Sequence, residues 1–167
     1  MGKISRLSAP VPLAGAHDVS RFDCGNAVLN DWLRTRAAKS EGRSARCYTV
    51  CEGNTVVGYY ALATGAARHD KSTPRALRAN LPDPTPVIVL GRLAVDKAYH
   101  GRGIGGGLLK DALSRALAAS RIIGARAVIV HAIDDEAVRF YATFGFKPFP
   151  EEARTMYLAM VGIGQAV

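Results

Sequence analysis

Five of the eight residues from His100 to Gly107, HGRGIGGG, are glycine, and an apolar helical pattern follows them. Glycine inside a helix costs roughly 1 kcal/mol relative to alanine, so this density at a helix start suggests close approach of a ligand. Backbone N–H groups at a helix N-terminus, together with the helix dipole, attract anions. The spacing fits neither a Walker A loop nor a convincing dinucleotide fingerprint. The sequence predicts an anion site suited to pyrophosphate, with purely structural turn glycines as the alternative.

The segment LGRLAVDKAYHGRGIGGGLL, residues 90–109, resembles the acetyl-coenzyme A-binding segment of the GNAT N-acetyltransferases. The family pattern is Gln or Arg, two residues, Gly, one residue, then Gly or Ala. Gly103 and Gly105 match it, whereas His100 stands where Gln or Arg is usual, which weakens one side-chain contact and leaves the backbone cradle intact. A second segment, EAVRFYATFGF from Glu136 to Phe146, is similar to the family's helix that carries Phe-Tyr before Gly-Phe. The resemblance extends over nearly the whole chain.

This resemblance implies the GNAT fold for residues 1–167, a single α/β domain with a mixed, centrally splayed β-sheet flanked by helices. It implies acetyl-coenzyme A as the cofactor, with the pantetheine arm bonded to the strand before the glycines as an extra β-strand would be. Carried onto this sequence, the coenzyme-binding residues are Leu93, Ala94, Val95, His100, Gly101, Arg102, Gly103, Ile104, Gly105 and Gly106.

The same resemblance assigns the role of catalytic acid to Tyr141. An ordinary phenol has a pKa of about 10, so it is protonated at pH 7 and can supply a proton to a departing thiolate. The alternative is that Tyr141 is simply a packed aromatic side chain in FYATFGF.

No general base stands out in the sequence. Asp134, Asp135 and Glu136 cluster at a predicted helix start, where the helix dipole alone favours carboxylates, and His69 and His131 are isolated. A base is unnecessary if the acceptor is an α-amine made less basic by esterification, because its pKa then falls below the roughly 7.7–8.0 of a free α-amino group.

The chain carries a formal net charge of +8, and its sequence pI is about 9.8. Basic residues concentrate between Arg34 and Arg46 and again between Arg68 and Arg78. Two solvated faces that keep the protein soluble would explain this charge, and so would a polyanionic partner.

Within the GNAT family the chain resembles the toxins of type II toxin–antitoxin pairs that acetylate the amino acid on charged tRNA. The similarity lies in FDCGNAVLNDWL, YYALATGAA, LPDPTPVIVLGRLAVD and the Tyr141 segment. An arginine within an apolar strand, such as Arg92, has internal pairing with an acid as its structural alternative. By this resemblance and by charge, the expected RNA-binding residues are Arg34, Arg36, Lys39, Arg75, Arg78 and Arg92.

The resemblance implies an acetyltransferase toxin that blocks the α-amine of aminoacyl-tRNA and stops translation. It further implies a homodimer and a small DNA-binding antitoxin of the ribbon-helix-helix type. One alternative is an acetyltransferase for a protein N-terminus, a lysine or a small amine, although a basic site disfavours cationic polyamines and aminoglycosides. Another alternative is a module that binds acyl-coenzyme A without catalysis.

The elements that must position these residues follow from hydrophobic periodicity. A helix is predicted from about Asn26 to Ser40, then a hairpin, a proline-rich loop with at most one short helix around 75–80, and a buried strand before the glycines. The remaining order is helix, strand, helix and two closing strands, which indicates a mixed sheet with flanking helices. The predicted strands are 46–52, 56–67, 86–96, 126–133, 147–149 and 154–161, and the predicted later helices are 104–123 and 134–144.

Composition is consistent with a cytoplasmic protein. The three cysteines lack metal-ligand spacing, so we expect reduced thiols and no metal site. The N-terminus lacks the apolar core of a signal peptide, and no apolar run approaches the roughly 20 residues that span a bilayer, so no membrane partner is expected.

Overall fold

A computed structural model describes residues 6–166 of the chain. These residues form two compact units, each built from separate stretches of sequence. The first unit contains the residues up to Leu62 together with Arg92–Asp111, and the second contains Ala63–Gly91 and the residues from Ala112 onward. The coenzyme segment expected from sequence therefore lies in the first unit, and Tyr141 lies in the second.

The strands are β1 (Val11–Pro12), β2 (Arg46–Glu52), β3 (Thr55–Ala67), β4 (Thr85–Val95), β5 (Ala127–His131), β6 (Lys147–Pro148) and β7 (Thr155–Ala159). They form a sheet in the order β1-β2-β3-β4-β5-β7-β6. The pairing of β4 with β5 is parallel, whereas β2 with β3 and β5 with β7 are antiparallel, which confirms the mixed sheet. The register of β4 on β5 runs from Ile88 to Leu90, and β4 continues beyond it to Val95.

Helices in the described chain are α1 (Ala27–Thr35), α2 (Ala37–Ser40), α3 (Ile104–Ile122), α4 (Asp135–Thr143) and α5 (Met160–Ala166). Two single turns of 3-10 helix occur at Arg75–Leu77 and Lys97–Tyr99. Within residues 6–166, none of the helices combines the length and the apolar character needed to cross a membrane.

The first unit packs α1 against the β2–β3 hairpin. Asn26 caps α1 by accepting a hydrogen bond from the Leu29 amide at 3.1 Å. The core beneath α1 includes Phe22, Leu33 and Tyr59, each at most 2% exposed. The predicted helix is interrupted at Arg36, whose φ of −118° departs from helical geometry, so it is two helices rather than one.

The second unit buries the middle of the sheet. Val87 and Leu90 of β4 are 3% and 2% exposed, and Ile129 of β5 is 6% exposed, which agrees with strands covered on both faces. Leu77, from the proline-rich segment, is fully buried in the same cluster as Val87. Leu77 therefore anchors that segment to the core.

The C-terminal end departs from the prediction of a strand over residues 154–161. Burial alternates through β7 and stops at Ala159, and Met160 begins α5 instead. The helix buries Ile163 completely, so the short apolar run continues as helix because that geometry covers another side chain. Sequence periodicity also missed β1, which is only two residues long.

Candidate active site

The residues expected to hold coenzyme lie on one continuous segment from the end of β4 to the start of α3. Leu93, Ala94 and Val95 are the last three residues of β4, and α3 begins at Ile104. Between them the chain makes the Lys97–Tyr99 turn and then the glycine loop. The strand, loop and helix N-terminus that the sequence predicts are therefore present in this order, with His100, Gly101, Arg102 and Gly103 in the loop and Gly105 and Gly106 in the first turn of α3.

The loop requires glycine for its backbone shape. Gly101 and Gly103 have φ values of +78° and +77°, which side-chain-bearing residues rarely adopt. A Cβ at either position would meet nothing within 4 Å, so the space beside them is open. The Gly107 amide donates to the Gly103 carbonyl at 3.0 Å, which makes Gly103 the first acceptor of α3.

The amides of Ile104, Gly105 and Gly106 precede this first helical bond and have no acceptor within the helix. Open space beside left-handed glycines and three free amides at a helix start are the features that a pyrophosphate needs. The residues present fit the diphosphate of acetyl-coenzyme A.

Side chains on the loop stiffen it. The His100 ring donates from Nε2 to the Val95 carbonyl at 2.7 Å, because a carbonyl oxygen can only accept. His100 thus ties the loop back to the end of β4, a role different from the side-chain contact of the usual Gln or Arg. The Arg102 guanidinium lies 4.9 Å from the centroid of Tyr99 and makes no ion pair within the described chain, which leaves an oriented positive charge on the loop.

Two aspartates that sequence reasoning missed fix the base of the loop. The Asp96 carboxylate accepts from the Ala98 amide at 2.9 Å and from the Asp23 amide at 3.1 Å. Asp23 in turn pairs with Lys97 at 2.9 Å, and hydrogen bonding from Lys97 lowers the pKa of Asp23 to about 2. The Asp96 amide also donates to the Val57 carbonyl at 2.8 Å. In the sequence, the one sign of these contacts is that Asp96 stands directly before a turn.

Gly58 was also missed, although a glycine inside a buried strand is a recognised sign of close approach. A Cβ built on Gly58 would lie 3.0 Å from Leu108 Cδ1 and 3.3 Å from Ile104 Cγ2. The first turns of α3 therefore rest directly on the backbone of β3. This close approach sets the position of the helix N-terminus that carries the free amides.

Tyr141 lies in α4 and is 7% exposed. Its ring makes edge contacts with Phe140 and Phe146, at centroid distances of 5.3 and 5.5 Å. Burial raises the pKa of Tyr141 to about 12. Its hydroxyl has no hydrogen-bond partner among residues 6–166, and no fully buried side-chain oxygen there lacks a partner, so the hydroxyl itself reaches an accessible surface.

The acidic cluster before Tyr141 has a structural explanation. Asp134 caps α4 by accepting from the Ala137 amide at 2.8 Å, and Asp135 lies 3.4 Å from Arg154. His69 is 2.7 Å from the Thr85 hydroxyl, and His131 is 3.2 Å from the Thr155 hydroxyl. The cap, the dipole and the ion pair account for the carboxylates.

The candidate RNA-binding residues of the first unit differ in how many contacts their charged groups make within the protein. Arg34 donates to the Phe22 carbonyl and lies 4.0 Å from Asp31, so part of its guanidinium is engaged within the protein. Arg36 and Lys39 are exposed. Arg92 is half-buried over the indole of Trp32, 4.4 Å from its centroid, and has no acid partner within the described chain. Internal pairing of Arg92 with an acid, the structural alternative, is therefore wrong.

Arg75 and Arg78 belong to the second unit and are exposed on the proline-rich segment. Arg78 Nε donates to the Thr73 carbonyl at 3.2 Å. The buried Thr85 hydroxyl lies 2.6 Å from the Leu77 carbonyl and 2.9 Å from the Pro82 carbonyl, which holds the segment against β4. Both arginines are thus displayed on a fixed support.

Comparisons with known proteins agree with this arrangement. The family described as acetyltransferase (GNAT) domain matches residues 43–148. The chain is 44% identical over 158 residues to the tRNA-acetylating toxin of Mycobacterium tuberculosis, covering 94% of this chain and 95% of that toxin.

Two solved structures of the protein AtaT are similar throughout. AtaT complexed with acetyl-methionyl-tRNAfMet has a TM-score of 0.86 at 27% identity, covering 96% of this chain and 98% of that one. A Tyr-to-Phe mutant of AtaT bound to acetyl-coenzyme A and to the C-terminus of the antitoxin AtaR has a TM-score of 0.81 at 26% identity, covering 95% and 96%. With the glycine loop, the mixed sheet and these similarities in agreement, the chain belongs to the GNAT acetyltransferase family.

Proposed function

We propose that this GNAT acetyltransferase is a toxin that transfers the acetyl group of acetyl-coenzyme A to the α-amino group of aminoacyl-tRNA and thereby blocks translation. The observation that carries the proposal is the similarity, over nearly the whole chain, to a tRNA-acetylating toxin. AtaT, which shares the fold, has been solved with an acetylated methionyl-tRNA. The basic character of the chain, with its net charge of +8, suits a polyanionic substrate.

The coenzyme segment would hold acetyl-coenzyme A by its backbone. Leu93, Ala94 and Val95 offer the strand edge for the pantetheine arm, and the free amides at the start of α3 would hold the diphosphate. Bound there, the coenzyme supplies an acyl thioester that a neutral amine can attack.

Tyr141 is the proposed acid. As the new C–N bond forms and the C–S bond breaks, the amine loses a proton and the sulfur gains negative charge. The Tyr141 hydroxyl carries a proton throughout the cellular pH range because its pKa is about 12, and it has no competing acceptor within the described chain. It can therefore donate to the departing sulfur and afterwards recover a proton from solvent or take up the proton that the attacking nitrogen releases as the amide forms.

The acceptor explains why the chain needs no dedicated base. Esterification to tRNA lowers the pKa of an α-amine below the roughly 7.7–8.0 of the free group, so much of it is neutral near pH 7. Recognition of the RNA is assigned to Arg34, Arg36, Lys39, Arg75, Arg78 and Arg92.

The remaining parts of the proposal concern assembly. We place residues 1–167 in a single domain that works as a homodimer in the cytoplasm. A cognate antitoxin neutralises the enzyme, and we assign it to the small DNA-binding, ribbon-helix-helix class. The AtaT structure with the C-terminus of AtaR supports an antitoxin as the partner.

The deciding experiment is transfer of radiolabelled acetyl from acetyl-coenzyme A to a pool of charged tRNAs. Deacylated tRNA, a polyamine and ribosomal protein compete as acceptors in the same reaction. Label on charged tRNA alone, released as the N-acetyl amino acid by mild base, supports the proposal and identifies the preferred amino acid. Label only on protein or polyamine would show that the acceptor is not charged tRNA. Coenzyme binding without transfer to any acceptor would show that the chain binds acyl-coenzyme A without catalysis.

A further inference from the structure

Three side chains of the first unit form a continuous stack. The Arg92 guanidinium lies 4.4 Å from the centroid of the Trp32 ring. Trp32 also stacks nearly parallel on Tyr59, with centroids 5.8 Å apart and planes at 9°. The Tyr59 hydroxyl donates to the Leu29 carbonyl at 2.7 Å, which ties the base of the stack to α1.

The base of this stack is rigid. Tyr59 is fully buried and makes an edge contact with Phe22 at 5.4 Å, while Trp32 packs on the same core. A guanidinium over an indole face gains cation–π attraction, which is stronger where water is partly excluded. Arg92, half-buried on β4, therefore has one preferred orientation.

The donors of Arg92 are left unused by the protein. Within residues 6–166 the guanidinium makes no hydrogen bond and no ion pair, whereas Arg34, Arg46 and Arg154 each have a carboxylate within 4.0 Å. Stacking occupies a face of the guanidinium and leaves the N–H groups, which lie in its plane, free to bind. A half-buried cation with free in-plane donors is suited to bidentate binding of a phosphate.

We propose that Trp32 is a positioning residue, which orients the Arg92 guanidinium so that its free edge binds a phosphate of the acylated RNA. The proposal rests on the proposed function, because it takes the RNA as the source of the phosphate. Acetyl-coenzyme A is the other source of phosphate in the reaction, so the test must separate the two.

Steady-state acetylation of charged tRNA by the full chain tests the role of the indole. Trp32→Leu removes the aromatic face, and we expect KM for charged tRNA to rise about tenfold with kcat and KM for acetyl-coenzyme A little changed. Trp32→Phe keeps a smaller face and should recover most of the loss. Arg92→Lys keeps the charge without the planar fork and should resemble Trp32→Leu, whereas the exposed control Arg121→Lys should behave as wild type.

A double-mutant cycle distinguishes positioning from packing. If Trp32 acts through Arg92, then Trp32→Leu has no further effect on KM for charged tRNA once Arg92 is already alanine. Independent, multiplicative effects of the two substitutions would overturn the proposal, as would a rise confined to KM for acetyl-coenzyme A. Thermal unfolding of each variant identifies loss of core packing, and Trp32→Phe then carries the comparison if Trp32→Leu folds poorly.

Fluorescence gives a readout independent of turnover, because Trp32 is the single tryptophan of the chain. Added deacylated tRNA should change the emission of wild type but not that of Arg92→Ala, and coenzyme A alone should change neither. The same response to coenzyme A would assign the phosphate to the coenzyme and overturn the proposal. A wild-type response to tRNA without acetyl transfer to charged tRNA would instead contradict the proposed function and leave the role of Trp32 standing for RNA binding.

Discussion

The ring of Tyr141 is buried while its hydroxyl is accessible, so the phenol holds its proton strongly and can still contact a bound substrate. Its pKa of about 12 makes it a weaker acid than an ordinary phenol, by about 2 units. The proton transfer is therefore more demanding than the unperturbed value suggests, and it depends on negative charge that develops as the thiolate departs. Sequence resemblance predicted the role of Tyr141, but the pKa follows from packing against Phe140 and Phe146, which only the fold supplies.

Tyr141→Phe removes the hydroxyl and keeps the ring contacts. We expect kcat for acetyl transfer to fall by about 100-fold or more, because general acid catalysis contributes typically that much, while the Kd of acetyl-coenzyme A stays near that of wild type. Single-turnover transfer and calorimetric titration measure the two quantities. Undiminished turnover would show that the buried phenol is a packing residue.

Tyr141→Phe should also remove a loss of folding stability that wild type shows at high pH. The pKa of Tyr141 is about 12 when folded and about 10 when unfolded, so the unfolded chain ionises first. The contribution of the protonated Tyr141 hydroxyl to the free energy of unfolding is fully present below pH 10. It is lost as the pH rises from 10 through 12, and the loss amounts to about 3 kcal/mol. Urea unfolding of wild type and Tyr141→Phe at pH 9, 10 and 11 should show wild type losing stability relative to the variant. Parallel curves would contradict the raised pKa.

At the scale of elements, the strand, loop and helix that carry the coenzyme residues could be predicted because their signals are local. The apolar run of β4, the glycine density and the helical stripe of α3 all lie within consecutive residues. Asp23 gives no such local signal, since it acts on the segment from a distant part of the chain. Gly58 gives the general sign of a glycine inside a buried strand, but its partner in α3 lies far along the chain. The switch from β7 to α5 was missed because a short apolar run fits either period.

Two glycines of this segment provide a matched pair of variants. Gly103→Ala places a side chain at a φ of +77°, which costs about 1–2 kcal/mol or forces the loop to change shape, so we expect acetyl-coenzyme A to bind about tenfold more weakly. Gly107 lies inside α3, where a Cβ meets nothing within 4 Å and the amide is already bonded to Gly103.

Gly107→Ala should therefore raise the free energy of unfolding by about 0.5–1 kcal/mol and leave coenzyme binding unchanged. Calorimetry and thermal unfolding on both variants make the comparison. Equal weakening of coenzyme binding by the two substitutions would mean that the left-handed turn is not what the diphosphate requires.

At the scale of the whole molecule, the net charge of +8 indicates a polyanionic partner without saying which cations meet it. The structure distinguishes the cations by the contacts that each one makes within the protein. Arg34 is partly engaged by Phe22 and Asp31, whereas Arg92 is oriented by Trp32 with its donors free. No local pattern distinguishes these two arginines, because the difference arises from contacts between α1 and β4.

Arg75 and Arg78 test whether that charge serves RNA binding. Removing one phosphate contact lowers the dependence of log K on log salt by about 0.7–0.9, so Arg75→Glu with Arg78→Glu should reduce the slope by about 1.5 and weaken binding across all tRNAs. Arg121→Glu with Arg126→Glu changes the net charge equally at exposed positions outside the proposed surface. Filter binding of deacylated tRNA between about 50 and 200 mM salt measures the slopes. A reduced slope in the first pair alone assigns direct phosphate contacts to the proline-rich segment. Equal slopes in both pairs would mean that the RNA responds only to total charge, and Arg75 and Arg78 would then be ordinary solvated side chains.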